Sequence, residues 1–400
     1  MNKVVKQIFN PSALVTVLAV LASFLIGGLL IAFANEDVQA TSGYLFARPT
    51  DFLSAVWNAV FGAYDALFRG SIFNYKAMDS VGMIKPLTET LTYATPITLA
   101  GLGMAVAFRS GLFNIGGTGQ IIFGAMGAAW VGFSLELPAI IHLPVAVIAG
   151  ILASALFGGF VGFLKAATGA NEVIVTIMMN YIALNFFTWM LRTDGLLHAA
   201  TGGGTPKSDP PAESAMLPTL FGDLYKLHIG IFIAVIAAFA YWLLMERSAI
   251  GYRFRMVGHN ANAARAAGIK VERTFIWAMA VSAAFVGLAA ANQGLSEPGG
   301  ITSSIHADIG FDAITVALLG GSSAPGVLLA GLLFGAFKAG APSMQVIGIS
   351  PEVLGIVQGA IVLFIAAPPL IRALFRLPKP QNTNALGALT AKLFKRGGAK

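Results

Sequence analysis

Apolar runs long enough to cross a bilayer constrain this chain more than any motif does. Residues 13–34, 87–108, 139–164 and 169–191 are the clearest of them. About 20 apolar residues of helix span the hydrocarbon core. In lipid every backbone polar group needs an internal partner, so such runs must fold as helices. Charged residues make up 11% of the chain, where a soluble domain carries about 25%. The expected class is therefore an all-α polytopic membrane protein with about ten transmembrane helices. The absence of cysteine excludes disulfides, thiolate metal sites and cysteine nucleophiles. The net charge of +7 follows membrane topology rather than a nucleic-acid footprint, and no nucleic-acid partner is expected.

Lys3 and Lys6 precede the first run, which is longer than the apolar part of a cleaved signal and is followed by many further spans. It reads as a first membrane helix starting in the cytoplasm. Residues 35–86 then form an external segment. Within it Ser54, Asn58, Gly62, Asp65 and Arg69 recur at helical spacing, with Trp57, Val60, Tyr64 and Phe68 on the opposite face. That pattern predicts an amphipathic helix, acting either as a lipid-seated brace or as a receptor dock.

The run 87–108 ends at Arg109 and is followed by SGLFNIGGTGQ, residues 110–120. Four glycines together with Asn114, Thr118 and Gln120 are poor helix formers at the place where a helix should begin. Non-helical backbone at membrane depth needs protein cover or an aqueous cavity, so this stretch either borders a translocation path or packs helices tightly through glycine. Asn171 is a candidate cap for the fifth span, with Glu172 in its first turn. Asn180 and Asn185 lie deeper and need partners; each serves as interhelical glue or as a contact for a polar solute. Gln293, where the seventh span ends, joins them as a candidate path residue. Two short apolar pieces, 309–319 and 327–340, flank GGSSAPG, and GGS at 320–322 echoes GGT at 116–118. Broken helices and a weak internal parallel repeat are expected from this.

Residues 246–273 form a basic island between two spans, with Arg247, Arg253, Arg255, Arg265, Lys270 and Arg273 against Glu246 and Glu272. Short basic loops stay in the cytoplasm. Asn260 is placed to cap a short helix running to Ala267, bracketed by Gly258 and Gly268 as turn-permitting residues. Its side chains are mostly methyls, a surface suited to docking on a soluble partner. Ten spans with both ends inside place seventeen of the 25 Lys and Arg in the cytoplasm, the last of them in a basic tail at 372–400. The permease domain is expected to occupy 1–371. Lys338 alone falls within a span.

VGHNANAARAAGI resembles the cytoplasmic coupling loop of ABC importer permeases for nucleosides, simple sugars and branched-chain amino acids. Ala263, Ala264 and Gly268 hold the core of the wider importer loop pattern, while Asn262 stands where that pattern has Glu. FRSGLFNIGGTGQIIFGAMGAA, GANEVIVTIMMNYIA and LLGGSSAPG resemble the nucleoside branch in the same order and spacing, over roughly 87–367. The resemblance implies a transport subunit rather than an enzyme, with coupling through Gly258, Asn260, Ala263, Ala264, Arg265 and Gly268. The residues themselves give the expectation of a path lined partly by Asn114, Gln120, Asn180, Asn185 and Gln293. The resemblance further implies a cytoplasmic ABC ATPase that binds ATP and Mg, a second and shorter permease, an extracytoplasmic solute-binding lipoprotein, and a place among the lipids of the bacterial cytoplasmic (inner) membrane. The chain has no Walker motif, so it is expected to carry no cofactor itself.

The alternatives are a permease for a simple sugar such as ribose, an ion-coupled secondary transporter, or a membrane-embedded hydrolase. The second usually needs an ionisable group at mid-membrane, whereas the acids here sit at span ends. The third is opposed by histidines scattered without metal spacing or a nucleophile partner.

Overall fold

The computed structural model describes residues 11–376 apart from 194, 198–205, 223, 351, 368–369 and 372–373. Lys3, Lys6, Arg372 and the tail beyond Arg376 lie outside the described residues. The regular structure of the described residues is helical, and their only extended pairings are the isolated bridges Lys207 to Thr302 and Thr219 to His228. Among the described residues seven helices are long and apolar enough to cross a membrane.

The chain divides into two compact units. One comprises 1–27 and 356–400. In it the start of α1 (Pro11–Ala34) packs through Val15, Ala19 and Ala22 on Ile371 and Phe364, near the end of α14 (Glu352–Ala366).

The second unit, 28–355, holds the rest. α2 (Glu36–Ser42) starts at Asn35, whose side chain accepts from the Val38 N–H at 3.2 Å. The expected amphipathic helix is present as α3 (Pro49–Ser71). Its Asp65 is the hub of the segment, receiving Arg69 Nε at 2.9 Å and the Tyr75 hydroxyl at 2.5 Å. The Tyr75 hydroxyl, with Arg69 and Lys76 alongside, holds the Asp65 carboxyl below the usual carboxylate value.

α4 (Ser80–Arg109) is the central helix, buried without a break from Ala94 to Ala107. It begins at Ser80 rather than at Leu87, where the apolar run begins, because Pro86 removes one N–H without ending the helix. α5 (Gly117–Ser134), α6 (Ala139–Thr168) and α7 (Glu172–Arg192) follow. α8 (Gly230–Trp242) runs on through a π-helical turn at Leu243–Arg247. α9 (Ala249–His259) and α10 (Ala261–Ala266) make up the island, and α11 (Val271–Gly294) returns. α12 (Ile309–Leu319) is short, and α13 (Ala324–Val346) extends beyond the expected 327–340 because Ser323 caps it from the Gly326 N–H at 3.3 Å.

Lipid gives helices no hydrophobic reason to associate, so close packing must supply one, and small residues permit it. On α6, Gly150, Ser154, Gly158 and Gly162 fall at every fourth position and form a single stripe that meets α11. A Cβ added at Gly162 would lie 2.9 Å from the Ile276 Cα, and Ser154 donates across the seam to the Ala283 carbonyl at 2.7 Å. This seam fixes α11 against α6 and so positions both the island before α11 and the loop between α4 and α5.

Candidate coupling and translocation site

The island is built from its caps. Ser248 opens α9 by accepting from the Gly251 N–H at 3.0 Å. Asn260 breaks the chain between α9 and α10 and accepts from the Asn262 and Ala263 N–H groups, both at 3.0 Å. Two otherwise orphaned donors of a six-residue helix are thereby satisfied. Ala264 is fully buried against Val257 and Val271, whereas Ala263 and Arg265 face outward. Gly268 takes φ +83°, which favours glycine, and nothing lies near its missing side chain. Arg265 reaches Glu272 at 2.6 Å, tying α10 to the start of α11.

Gly258 has a different role from the turn expected of it. It lies inside α9, and a Cβ there would sit 2.8 Å from the Gly111 nitrogen and the Ser110 carbonyl carbon, and closer still to the Arg109 carbonyl oxygen. All three are backbone atoms, so α9 rests directly on the end of α4. Arg109 reinforces the contact through Glu246 at 2.5 Å, and Glu246 also holds Arg255 at 3.1 Å, which in turn donates to the Met245 carbonyl.

From that contact the chain enters the loop 110–116, whose backbone is satisfied by side chains of neighbouring helices. Asn114 Nδ2 donates to Ser282 Oγ at 3.1 Å and to Gln120 Oε1 at 3.3 Å, and Asn114 Oδ1 accepts from the Gly116 N–H at 2.9 Å. Ser282 Oγ in turn donates a hydrogen bond to the Gly103 carbonyl at 2.7 Å. Asn180 spans the loop, accepting from the Gly119 N–H and donating to the Ile115 carbonyl, both at 2.9 Å. Glu172 is paired with Lys165 at 2.6 Å and accepts from the Phe113 N–H at 3.5 Å.

The structure therefore brings Asn114, Gln120 and Asn180 to one loop, the first two bonded to each other and fully buried, the third bonded to the loop backbone. Asn185 is not among them. Its amide donates to Tyr181 on its own helix at 2.8 Å, and the side chain is exposed. Gln293 is half-buried on α11, next to Asn292, whose buried amide nitrogen has no hydrogen-bond partner.

Two features were not read from the sequence. Ser282 completes the network, although a lone serine within an apolar span carries no signal of its own. Lys338 lies 2.9 Å from Asp312 and donates to the Ala307 carbonyl at 2.8 Å, so the span lysine and a span-end acid form one pair. That contact holds a strained turn in which Ala307 and Asp308 take φ +35° and +59°. The polar face of α3 lines a cleft of about 770 Å³ with Asn35, Thr41 and Ile347.

Among the described residues no cluster of acids and histidines could hold a metal ion. Residues 87–366 match the family described as the branched-chain amino acid transport system / permease component. The chain belongs to this permease family. It is 37% identical to the guanosine ABC transporter permease protein NupP of Bacillus subtilis, over 93% of this chain and 98% of that one. It is 34% identical to the nucleoside ABC transporter permease protein NupB of Lactococcus lactis, over 85% and 96%. It is 30% identical to the glucose ABC transporter permease protein TsgB13 of Haloferax volcanii, over 87% and 86%. No solved structure matches. As a permease of this family the chain is a multi-pass inner-membrane transport component rather than an enzyme, and the family implies an ATPase and a solute-binding partner.

Proposed function

We propose that this chain is the larger permease subunit of an ATP-driven importer of nucleosides, with ten membrane segments and both ends in the cytoplasm. Among the described residues seven helices are long and apolar enough to span, and this reading takes α5, α12 and α14, which also lie on apolar runs, as three further segments. The inner turns at 110–116 and 320–323 each join an inward helix to an outward one, which favours the parallel repeat. The permease domain spans 1–371, the tail from 372 is cytoplasmic, and a second, shorter permease completes the pore. The solute-binding lipoprotein docks outside, where the external segment 35–86 offers the polar cleft beside α3. ATP and Mg are bound by the partner ATPase.

The observation that carries this reading is the rigid link from α10 to the 110–116 loop, in a chain whose most similar relatives named above carry guanosine and nucleosides. Closure of the ATPase pushes α10, whose outward Ala263 and Arg265 and capping Asn260 form the docking surface. Gly258 transmits the displacement as a backbone contact to 109–111, and the bonds that Asn114, Gln120 and Asn180 make around the 110–116 loop carry it into the stretch that borders the path. Asn185 and Gln293, outside those bonds, remain available to the solute. Gly268→Trp in the assembled complex should leave membrane assembly intact while ATP hydrolysis loses its coupling to labelled guanosine uptake. Unchanged uptake from a well-expressed variant would count against the docking role. Competition of that uptake by ribose and by free bases separates a nucleoside permease from a sugar permease.

One observation favours an ion-coupled alternative, the Asp312 to Lys338 pair. It predicts uptake that follows a proton or sodium gradient without ATP.

A further inference from the structure

A pocket of about 810 Å³ lies between α9 and the start of α11. Its wall divides by chemistry. Arg253, Lys270 and Arg273 supply three cations, and Ile250, Phe254, Trp277 and Val281 supply an apolar slot. Trp277 on α11 is 64% exposed and Ile250 on α9 is 50% exposed. No acid lines the pocket. Nor is one free nearby among the described residues, since Glu246 is held by Arg109 and Arg255, and Glu272 by Arg265. Three cations without carboxylates therefore stand over an apolar slot that opens beside a membrane span. An occupant has to present a negative head to the basic rim and hydrocarbon to the slot.

We infer that this pocket binds one anionic phospholipid of the inner leaflet, with its phosphate among Arg253, Lys270 and Arg273 and an acyl chain along Ile250, Trp277 and Val281. Basic pockets beside cytoplasmic helix ends suit such headgroups, and a tryptophan at that level suits the interface. Ala267 and Gly268 line the same pocket, so the lipid braces the root of α10. The inference rests on the cytoplasmic placement of the island proposed above.

The test is a titration of the purified full chain with phosphatidylglycerol and with phosphatidylcholine, read by native mass spectrometry. One tightly held phosphatidylglycerol is expected, with phosphatidylcholine clearly weaker. Each of Arg253→Gln, Lys270→Gln and Arg273→Gln should weaken the phosphatidylglycerol adduct about fivefold, and the three together about a hundredfold. Arg273→Lys, which keeps the charge, should stay close to wild type. The single variants change exposed residues and carry the test even where the triple variant fails to fold. Equal affinity for both lipids, or an adduct indifferent to the three substitutions, overturns the inference. So does a result in which the substitutions release the ATPase from the complex while lipid binding is unchanged, since the cations would then serve an acidic segment of that partner. The chain has no cysteine, so Lys270→Cys tests the placement separately. Labelling of intact cells by an impermeant maleimide would refute the topology, whereas labelling only after permeabilisation leaves the lipid titration as the deciding result.

Discussion

Replacing Gly258 with alanine should disconnect the coupling helix from the membrane bundle. The added Cβ meets the Gly111 nitrogen and Ser110 carbonyl carbon at 2.8 Å, and the Arg109 carbonyl oxygen closer still, where ordinary contact begins at 3.4 Å. Because these are backbone atoms on the end of a fully packed helix, α9 must move away by more than about half an ångström, at a cost of about 1–3 kcal/mol. The displacement falls on the island, since α4 is buried on all sides from Ala94 to Ala107 and cannot yield. Reconstituted with its partners, the variant should retain ATP hydrolysis while uptake per ATP falls severalfold, and Gly258→Val should be worse. The readout is the ratio of labelled nucleoside accumulated to phosphate released in proteoliposomes, with thermal unfolding in detergent as a control for folding. An alanine variant with wild-type unfolding temperature and a wild-type ratio would refute the contact as the transmitting element.

Asn180→Leu removes a donor and an acceptor from the broken loop, leaving the Gly119 N–H and the Ile115 carbonyl without partners. It should cost about 1–3 kcal/mol for each stranded group, read as a lower unfolding temperature, whereas Asn185→Leu, whose amide serves only its own helix, should cost far less. Arg109→Ala and Glu246→Ala should each destabilise the chain, and a double-mutant cycle should show coupling between them, since the two charges pair at 2.5 Å. His228 is pushed down to about 4 by burial, from 6.5 when unfolded. Its depressed folded value means that stability is complete above pH 6.5 and is lost as pH falls toward 4, by about 2 kcal/mol at pH 5. His228→Gln should flatten that part of the pH profile of unfolding.

Much of the membrane architecture was legible because hydrocarbon leaves the chain so few options. Apolar runs located the seven helices, among the described residues, that are long and apolar enough to span, and Asn171 and Asn260 marked helix starts through local backbone bonds that depend on neighbouring residues alone. What escaped the sequence depends on contacts between distant segments. Gly258 resembled a turn glycine, yet what it closely approaches is backbone 147 residues earlier, at Gly111. The amides 114, 120 and 180 were legible as groups that need partners, but not that Asn114 and Gln120 would bond to each other and Asn180 to the loop backbone, because Ser282 and Gly103 complete the first pair from two other helices. Lys338 stood out as the span lysine, while its neutralising Asp312 looked like an ordinary span-end acid.

The most direct test of the central claim measures accumulation of labelled guanosine in vesicles containing this chain, first alone under an imposed proton or sodium gradient, then with its permease, ATPase and binding-protein partners and ATP. The account predicts no accumulation in the first case and ATP-dependent accumulation in the second. Accumulation by the chain alone, driven only by the ion gradient, would contradict it.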